Sequence, residues 1–221
     1  MASSTEATRA DRTAKERATV RASGRVGQWR GIDFVTLAVL GVAFGVAFWA
    51  WDVTLYPIIS AALVFPPLGS LTLGVWLIPA VVGALVVRRP GAALYTEVIA
   101  ASVEMFLGNQ WGAGVMVSAG LQALGVEIAV ALFAWRRFGL FVAMLAGLLA
   151  AVLEITAYEW WFYMPEFDWA WRFIALGAAV TSGIVVAGIG GWLIVHALAA
   201  TGVIDGFPPG IERLTRDSGR A

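Results

Sequence analysis

The chain has 221 residues, of which 60% are hydrophobic and only 14% are charged. A soluble domain carries roughly 25% charged residues, so this composition excludes a water-soluble fold and indicates an integral membrane protein. The formal net charge is zero, and the chain has no Cys and a single His. Disulfides, thiolate sites and His-based metal clusters are therefore excluded, and we expect no metal and no cofactor.

The N-terminal 30 residues are polar and rich in Arg, Ser, Thr and Ala. The first apolar run begins only near Ile32 and continues at full spanning length. A secretory signal would instead place a shorter apolar core near the N-terminus, followed by a cleavage site. We therefore predict that residues 1–30 are a disordered cytoplasmic tail and that the first helix is retained.

Six apolar runs are long enough to cross a bilayer, which takes roughly 20 residues each. They are residues 32–51, 68–87, 91–107, 112–135, 138–163 and 173–200. Residues 52–67 are also apolar but are interrupted by prolines, so we expect a loop or half-helix packed on the outer face. The predicted fold is all-α: a polytopic six-transmembrane-helix bundle over residues 31–201, followed by a cytoplasmic tail over residues 202–221.

The positions of the basic residues predict the orientation. Fourteen of the fifteen lie on one side of a six-span topology, in the two tails and in the turns at Arg88–Arg89 and Arg136–Arg137. Only Arg172 lies on the other side. The positive-inside rule makes the fourteen-residue side cytoplasmic, and both termini with it.

Among the acidic residues within predicted spans we single out four, Glu97, Glu104, Glu127 and Glu154, and no Lys or Arg lies in a span to pair with them. An ionisable residue at the bilayer centre costs roughly 2.5–3.5 kcal/mol, so such side chains face the bundle interior. Each must be protonated, hydrogen-bonded, near water or matched by a cationic ligand. For Glu127, which lies deeper and nearer the cytoplasm, we favour a structural role.

The other three carboxylates are predicted to face an outward-opening pocket. Glu97 and Glu104 are seven residues apart and share a helix face, and positions 154, 158 and 161 share another. Carboxylates suit an amine or cation, aromatic faces suit a flat ring, and amides suit ring nitrogens. Alternatively, the glutamates tie helices together and the aromatic residues form an interfacial belt. The predicted ligand-binding residues are Glu97, Glu104, Asn109, Gln110, Trp111, Gln122, Glu154, Tyr158 and Trp161.

Small residues recur at spacings of four in the first and last spans. They are Ala43 and Ala47, the adjoining Gly41 and Gly45, and Gly183, Ala187 and Gly191. Such spacing lets another helix approach closely in lipid, either from a partner or within the bundle.

Enzymatic functions are disfavoured. Ser182 and His196 are about four turns apart on one predicted helix, beyond hydrogen-bond reach. The chain has no phosphate-binding Gly-x-x-x-x-Gly-Lys-Ser/Thr motif and no evident inverted repeat. These features indicate a binding subunit that depends on partners. The main alternative is a stand-alone proton-coupled transporter with the glutamates as a proton relay, and a third is an assembly factor without a ligand.

One further sequence segment indicates a family. It begins with Arg88-Arg89-Pro90-Gly91-Ala92-Ala93, continues through Glu97 and Glu104, and ends with Gly108-Asn109-Gln110-Trp111-Gly112. With the Trp-rich outer end of the fifth span, it resembles the substrate-binding S components of energy-coupling factor (ECF) vitamin transporters. The similarity is greatest to the YkoE-type thiamin/hydroxymethylpyrimidine permease family, and it covers residues from about Gly31 to Ala200.

This resemblance implies a six-helix protein of a prokaryotic plasma membrane that captures thiamin or its hydroxymethylpyrimidine precursor from outside. It also implies association with a membrane-embedded T component and two ATPase subunits, and no nucleic-acid partner. In related S components an Ala-x-x-x-Ala motif on the first helix docks the T component, and Ala43 and Ala47 match it.

Overall fold

The computed structural model describes residues 28–219, and all regular secondary structure in that range is helical. The predicted disordered tail lies outside the described residues, apart from its last three positions. The helices are α1 (Gly31–Val53), α2 (Leu55–Ala62), α3 (Pro66–Val87), α4 (Ala92–Leu107), α5 (Gly114–Ala131), α6 (Leu140–Phe162), α7 (Trp169–Thr201) and α8 (Pro208–Ser218).

Five of these helices, α1, α3, α5, α6 and α7, are long and apolar enough to cross a membrane. The all-helical membrane fold is therefore confirmed. Helix α4 has only 16 residues, and it packs between α1 and α5 with α3 beside it. Because α4 is shorter than a typical span, the count of six crossings stays a prediction, as does the cytoplasmic location of the termini.

Helix α3 is irregular at its start. Residues Pro66–Val75 form a 3-10 helix, and an α-helix follows over Ile78–Val87. Ser182 of α7 forms two hydrogen bonds with the 3-10 segment of α3. Its hydroxyl donates to the Leu71 carbonyl at 2.5 Å and accepts from the Gly74 amide at 3.1 Å. Ser182 thus joins two helices.

Glycines allow the helices to approach closely. A Cβ on Gly45 of α1 would lie 2.5 Å from the Ala100 carbonyl oxygen of α4, and one on Gly41 would lie 2.9 Å from the Thr96 oxygen. The small residues of α7 are likewise used within the bundle, since Gly183 meets the backbone of Gly147 in α6. Close backbone approach of this kind is how helices associate in lipid.

Two helices contain π-helical segments, Ile155–Glu159 in α6 and Gly183–Gly190 in α7. A π turn bonds each amide to the carbonyl five residues earlier, so it accommodates one more residue per turn than an α-helix. The residues after a π turn therefore face a different direction from the one that α-helical spacing predicts. The segment in α6 is next to the site described below.

We call the end of the bundle that carries Arg88 and Arg89 the basic end. There, the buried Asp33 pairs with Arg30 at 2.6 Å and with Arg89 at 2.9 Å. Helix α8 lies at the same end: its Glu212 pairs with Arg88, and its Arg213 donates to the Ala199 and Ala200 carbonyls. The sequence did not predict α8. Its contacts tie the last described segment to the ends of α3 and α7.

Candidate functional site

A cavity of about 280 Å³ lies in the half of the bundle opposite the basic end. Helices α1 and α3–α6 contribute to its walls, together with α2 and the connections at residues 111 and 163–167. None of the described residues that line it is basic. The lining residues are Phe48, Tyr56, Pro66, Gly69, Ser70, Thr72, Leu73, Trp76, Glu97, Ala101, Glu104, Trp111, Val115, Ser118, Ala119, Gln122, Glu154, Ile155, Glu159, Tyr163, Met164 and Phe167.

Glu97 on α4 is one of the four glutamates that line the cavity. One of its carboxylate oxygens, Oε2, accepts a hydrogen bond from the Ala80 amide at 2.8 Å. Ala80 is in the first turn of the Ile78–Val87 helix, whose early amides have no partner within the helix. The carboxylate therefore caps that helix inside the bundle while the same residue lines the cavity.

Glu104 lies two turns further along α4, on the same face as Glu97, as predicted. It is buried, and it interacts with the carboxyl group of Asp52 near the end of α1. Oε1 of Glu104 and both Asp52 oxygens are buried without a hydrogen-bond partner of good geometry in the described structure. Asp52 was not among the predicted site residues, because we had assigned it to the outer connection.

Three aromatic rings form a cluster against the cavity, each edge-on to the other two. The centroid of Trp111 lies 5.2 Å from that of Tyr56 and 5.4 Å from that of Trp76, and Tyr56 and Trp76 are 5.4 Å apart. Of these, only Trp111 was predicted. The side-chain oxygen of Asn109 accepts a hydrogen bond from the Trp111 backbone amide at 2.8 Å. Gln110 is exposed and lies outside the cavity wall.

Helix α6 contributes Glu154, Ile155 and Glu159 to the cavity wall, at and just before its π turn. Glu154, which is 1% exposed, precedes the turn, and Glu159 is its last residue; both line the cavity. Glu154 interacts with Ser118 and with the predicted Gln122 on α5, and its Oε2 atom has no hydrogen-bond partner. Glu159 was not among the predicted site residues.

The structure places the other two predicted residues of this helix outside the cavity wall. The Tyr158 ring stacks on Phe162, with a centroid distance of 4.5 Å. Trp161 is 55% exposed, donates its indole N–H to the Thr156 carbonyl at 2.9 Å, and lies 5.1 Å from the Arg172 guanidinium. Trp161 thus belongs to the outer surface of the bundle.

Two phenols beyond the spans also line the cavity. Tyr163 follows α6. Burial raises the pKa of the Tyr163 hydroxyl above its ordinary value, and a hydrogen bond with Tyr158 raises it further. Burial likewise raises the pKa of Tyr56, with a smaller contribution from Glu159. Both hydroxyls therefore keep their protons at neutral pH and can donate to an acceptor on a ligand.

Glu127 lies apart from the cavity. Its Oε1 atom accepts from the Ala93 amide at 3.0 Å, in the first turn of α4. It therefore caps α4 as Glu97 caps the second half of α3, in line with the structural role favoured above. Among residues 28–219, no group of three or more His, Cys, Asp or Glu side chains could hold a metal ion.

A helical membrane bundle with an acidic and aromatic cavity in one half has the architecture of a membrane solute-binding protein. The family of ABC-type cobalt transport system permease components matches residues 32–153. A Bacillus subtilis (strain 168) protein that carries the name HMP/thiamine permease protein YkoE is 33% identical over 190 residues, which cover 83% of this chain and 92% of the relative.

The crystal structure of an S-component of an ECF transporter has the same fold. Its TM-score is 0.80 at 31% sequence identity, and the match covers 88% of this chain and 99% of the other. The chain belongs to the YkoE-type family of ECF S components. It is a substrate-binding membrane subunit of an ECF-type importer, as the sequence motifs predicted.

Proposed function

We propose that the cavity binds thiamin or its hydroxymethylpyrimidine precursor and that the chain delivers this ligand to an ATP-driven importer. The observation that carries the proposal is the cavity itself, in which four glutamates and a cluster of three aromatic rings meet and which no basic residue within residues 28–219 lines. An aminopyrimidine offers a flat ring for the aromatic wall and N–H donors for the carboxylates. The name of the Bacillus subtilis relative includes both compounds.

The cavity size agrees with a compact vitamin. Ligand sites typically measure roughly 300–1,000 Å³, and the cavity of about 280 Å³ is at the lower limit of that range. Its polar groups are mostly acceptors, and several of them are buried without partners: Glu104 Oε1, Gln122 Oε1 and Glu154 Oε2. Buried acceptors are costly when unpaired, so a ligand that brings N–H donors gains their hydrogen bonds.

We further infer the topology and the partners. The basic end faces the cytoplasm and the cavity opens to the outside, in keeping with the positive-inside rule. ATP hydrolysis takes place in two separate ATPase subunits, coupled through a T component, and the chain itself is not an enzyme. Ala43 and Ala47 are exposed on α1, where they are available to a partner helix.

The direct test is ligand binding to the purified full-length chain by titration calorimetry, with thiamin, hydroxymethylpyrimidine and Co²⁺ as probes. We expect at least one of the two organic compounds to bind at micromolar concentration or tighter, and Co²⁺ not to bind. Trp111→Ala removes a ring from the cavity wall and should weaken binding by about tenfold or more, given ~1–3 kcal/mol per stacking contact.

Trp161→Ala is the matched control, since Trp161 is a tryptophan at the same end of the bundle but outside the cavity. It should bind the ligand as the unmodified chain does. If neither organic compound binds at micromolar concentration, the proposed substrate class is wrong. Equal losses for the two tryptophan variants would show that the cavity is not the binding site.

A further inference from the structure

A second cavity, of about 400 Å³, lies at the basic end, and we call it the basic-end cavity. Its walls come from the end of α3, the start of α6, the end of α7 and helix α8. The first three of these helices are long and apolar enough to cross a membrane. The basic-end cavity therefore lies where spans end, at the level of the lipid headgroups. The function proposed above does not use it.

One part of the lining is apolar. It includes Leu85, Leu140, Trp192 and Val195. Leu140 is 40% exposed and the adjoining Phe141 is 68% exposed, so this apolar wall continues onto the outer surface of α6. Such a wall suits a hydrocarbon chain, because burying apolar surface away from water is favourable.

The other part of the lining is charged. It consists of the arginines Arg88, Arg213 and Arg216 and the acids Glu212 and Asp217. Glu212 pairs with Arg88, and Asp217 pairs with Arg213 at 3.5 Å. Arg216 donates from Nε to the Glu212 backbone carbonyl at 3.3 Å, and it is in none of the ion pairs within residues 28–219. Each acid thus already has an arginine, and the Arg216 guanidinium remains for a ligand.

Two further arginines lie next to the basic-end cavity in the sequence. Arg136 and Arg137 are exposed and directly precede Phe138, which lines the cavity. Neither is in an ion pair found in the described range. Arginine binds phosphate through paired hydrogen bonds, and basic pockets between membrane spans bind anionic lipid headgroups.

We propose that the basic-end cavity binds an anionic phospholipid. Its phosphate lies among the arginines without an acidic partner, Arg136, Arg137 and Arg216, and an acyl chain lies against Leu140 and Trp192. The arginines select an anionic headgroup, and the apolar wall selects a lipid over a free phosphate. The bound lipid joins α8 to the ends of α3 and α7 and thereby stabilises the basic end. This inference does not depend on which ligand the opposite cavity binds.

The test uses the purified full-length chain in a neutral detergent, with phosphatidylglycerol and phosphatidylcholine of identical acyl chains as probes. Native mass spectrometry measures bound lipid, and the melting temperature measures the stabilisation that binding produces. We expect phosphatidylglycerol to bind more tightly and to raise the melting temperature more. Arg216→Gln should lower this preference about fivefold, as expected for loss of one arginine near the headgroup, whereas Arg216→Lys should retain most of it.

Two further variants make the result specific to this site. The triple variant Arg136→Gln, Arg137→Gln and Arg216→Gln should bind the two lipids equally, and without added lipid it should melt near the temperature of the unmodified chain. Arg172→Gln removes an arginine that lies over Trp161 and Trp169, away from the basic-end cavity. It should keep the full preference for phosphatidylglycerol, whatever its effect on stability.

Four results would overturn the proposal. The first is equal binding of the two lipids to the unmodified chain. The second is a preference that survives in the triple variant, since the lipid then binds elsewhere. The third is displacement of phosphatidylglycerol by inorganic phosphate that alone produces the whole stabilisation, which would make the occupant a free anion. The fourth is loss of the co-purifying T component from the triple variant when the unmodified chain has no lipid preference, which would make the surface a protein-binding one.

Discussion

At the scale of single residues, the intramembrane glutamates divide into two kinds. Glu127 caps α4 and lies away from the cavity, and Glu104 and Glu154 line the cavity with unpaired oxygens. Glu97 caps the second half of α3 and also lines the cavity. Capping residues satisfy amides that the start of a helix leaves free. The two roles are therefore separable by substitution, and Glu97 allows both to be tested at one position.

Glu97→Gln and Glu97→Ala should differ sharply in stability. The glutamine oxygen can still accept from the Ala80 amide, so Glu97→Gln should melt within a few degrees of the unmodified chain. Glu97→Ala leaves a buried amide without an acceptor, at a cost of about 1–3 kcal/mol, and should lower the melting temperature clearly. The measurement is thermal unfolding in detergent, followed by intrinsic tryptophan fluorescence.

Glu127→Ala serves as the comparison, because it removes a cap outside the cavity. It should lower the melting temperature without weakening ligand binding, whereas Glu97→Ala should lower both. If Glu97→Gln and Glu97→Ala were equally destabilising, the hydrogen bond to Ala80 would not account for the role of Glu97.

Much of the candidate site could be predicted at this scale, because unpaired carboxylates in apolar spans are rare and costly. Glu97, Glu104, Trp111, Gln122 and Glu154 were predicted, and all five line the cavity. Asp52 was missed because it directly follows the first apolar run and was therefore placed in the connection after it, where acidic residues are common. Tyr56 and Trp76 were missed because single aromatic residues near a membrane interface are common in any span.

At the scale of elements, the errors have one main cause, the assumption of regular α-helices. The spacing 154, 158 and 161 is correct for a regular α-helix, but residues 155–159 form a π turn, and the residues of this region that line the cavity are 154, 155, 159, 163 and 164. Nothing in the residues 155–159 is specific to a π turn, since its stability depends on packing against neighbouring helices. Glu159 itself was a detectable signal, as an additional carboxylate within an apolar run.

Helix α1 offers a matched pair of motifs on adjacent faces. Gly41 and Gly45 face α4, with no space for a Cβ, while Ala43 and Ala47 are exposed. Substitution of Gly45 by Leu should therefore disrupt the α1–α4 contact and lower the melting temperature strongly. The double variant Ala43→Leu with Ala47→Leu should fold and bind ligand normally.

The same alanine variant should fail to assemble with the T component, because leucines keep a partner helix from approaching closely. Co-purification of the tagged chain with the co-expressed T component and ATPases measures this. Normal co-purification of the double variant would remove Ala43 and Ala47 from the interface. A loss of ligand binding in the same variant would indicate a folding defect and not a docking defect.

At the scale of the whole molecule, the described structure separates two ends with different chemistry. The basic end is held by ion pairs among α1, the α3–α4 turn and α8, and the acidic cavity lies in the opposite half. The all-helical membrane architecture followed from composition and the apolar runs. The helix at Pro208–Ser218 did not, because its contacts to Arg88 and to the end of α7 are long-range.

The glutamates that line the cavity also bear on how transport is driven. A proton-coupled carrier would use its glutamates to bind and release protons during each cycle, and would transport alone. In the proposed function the chain only binds the ligand, so transport of the ligand across the membrane requires the T component and the ATPases. Reconstitution into liposomes, with radiolabelled thiamin outside, distinguishes the two mechanisms.

We expect the chain alone to bind thiamin but to accumulate none, with or without a pH gradient. Addition of the T component and ATPases, with ATP inside the liposomes, should produce uptake, and the variant Ala43→Leu with Ala47→Leu should bind thiamin and transport none. Thiamin uptake by the chain alone that follows an imposed pH gradient would instead assign the carboxylates to proton coupling. Because Trp111→Ala is expected to weaken binding and not assembly, its transport rate should recover at saturating thiamin, whereas that of the alanine variant should not.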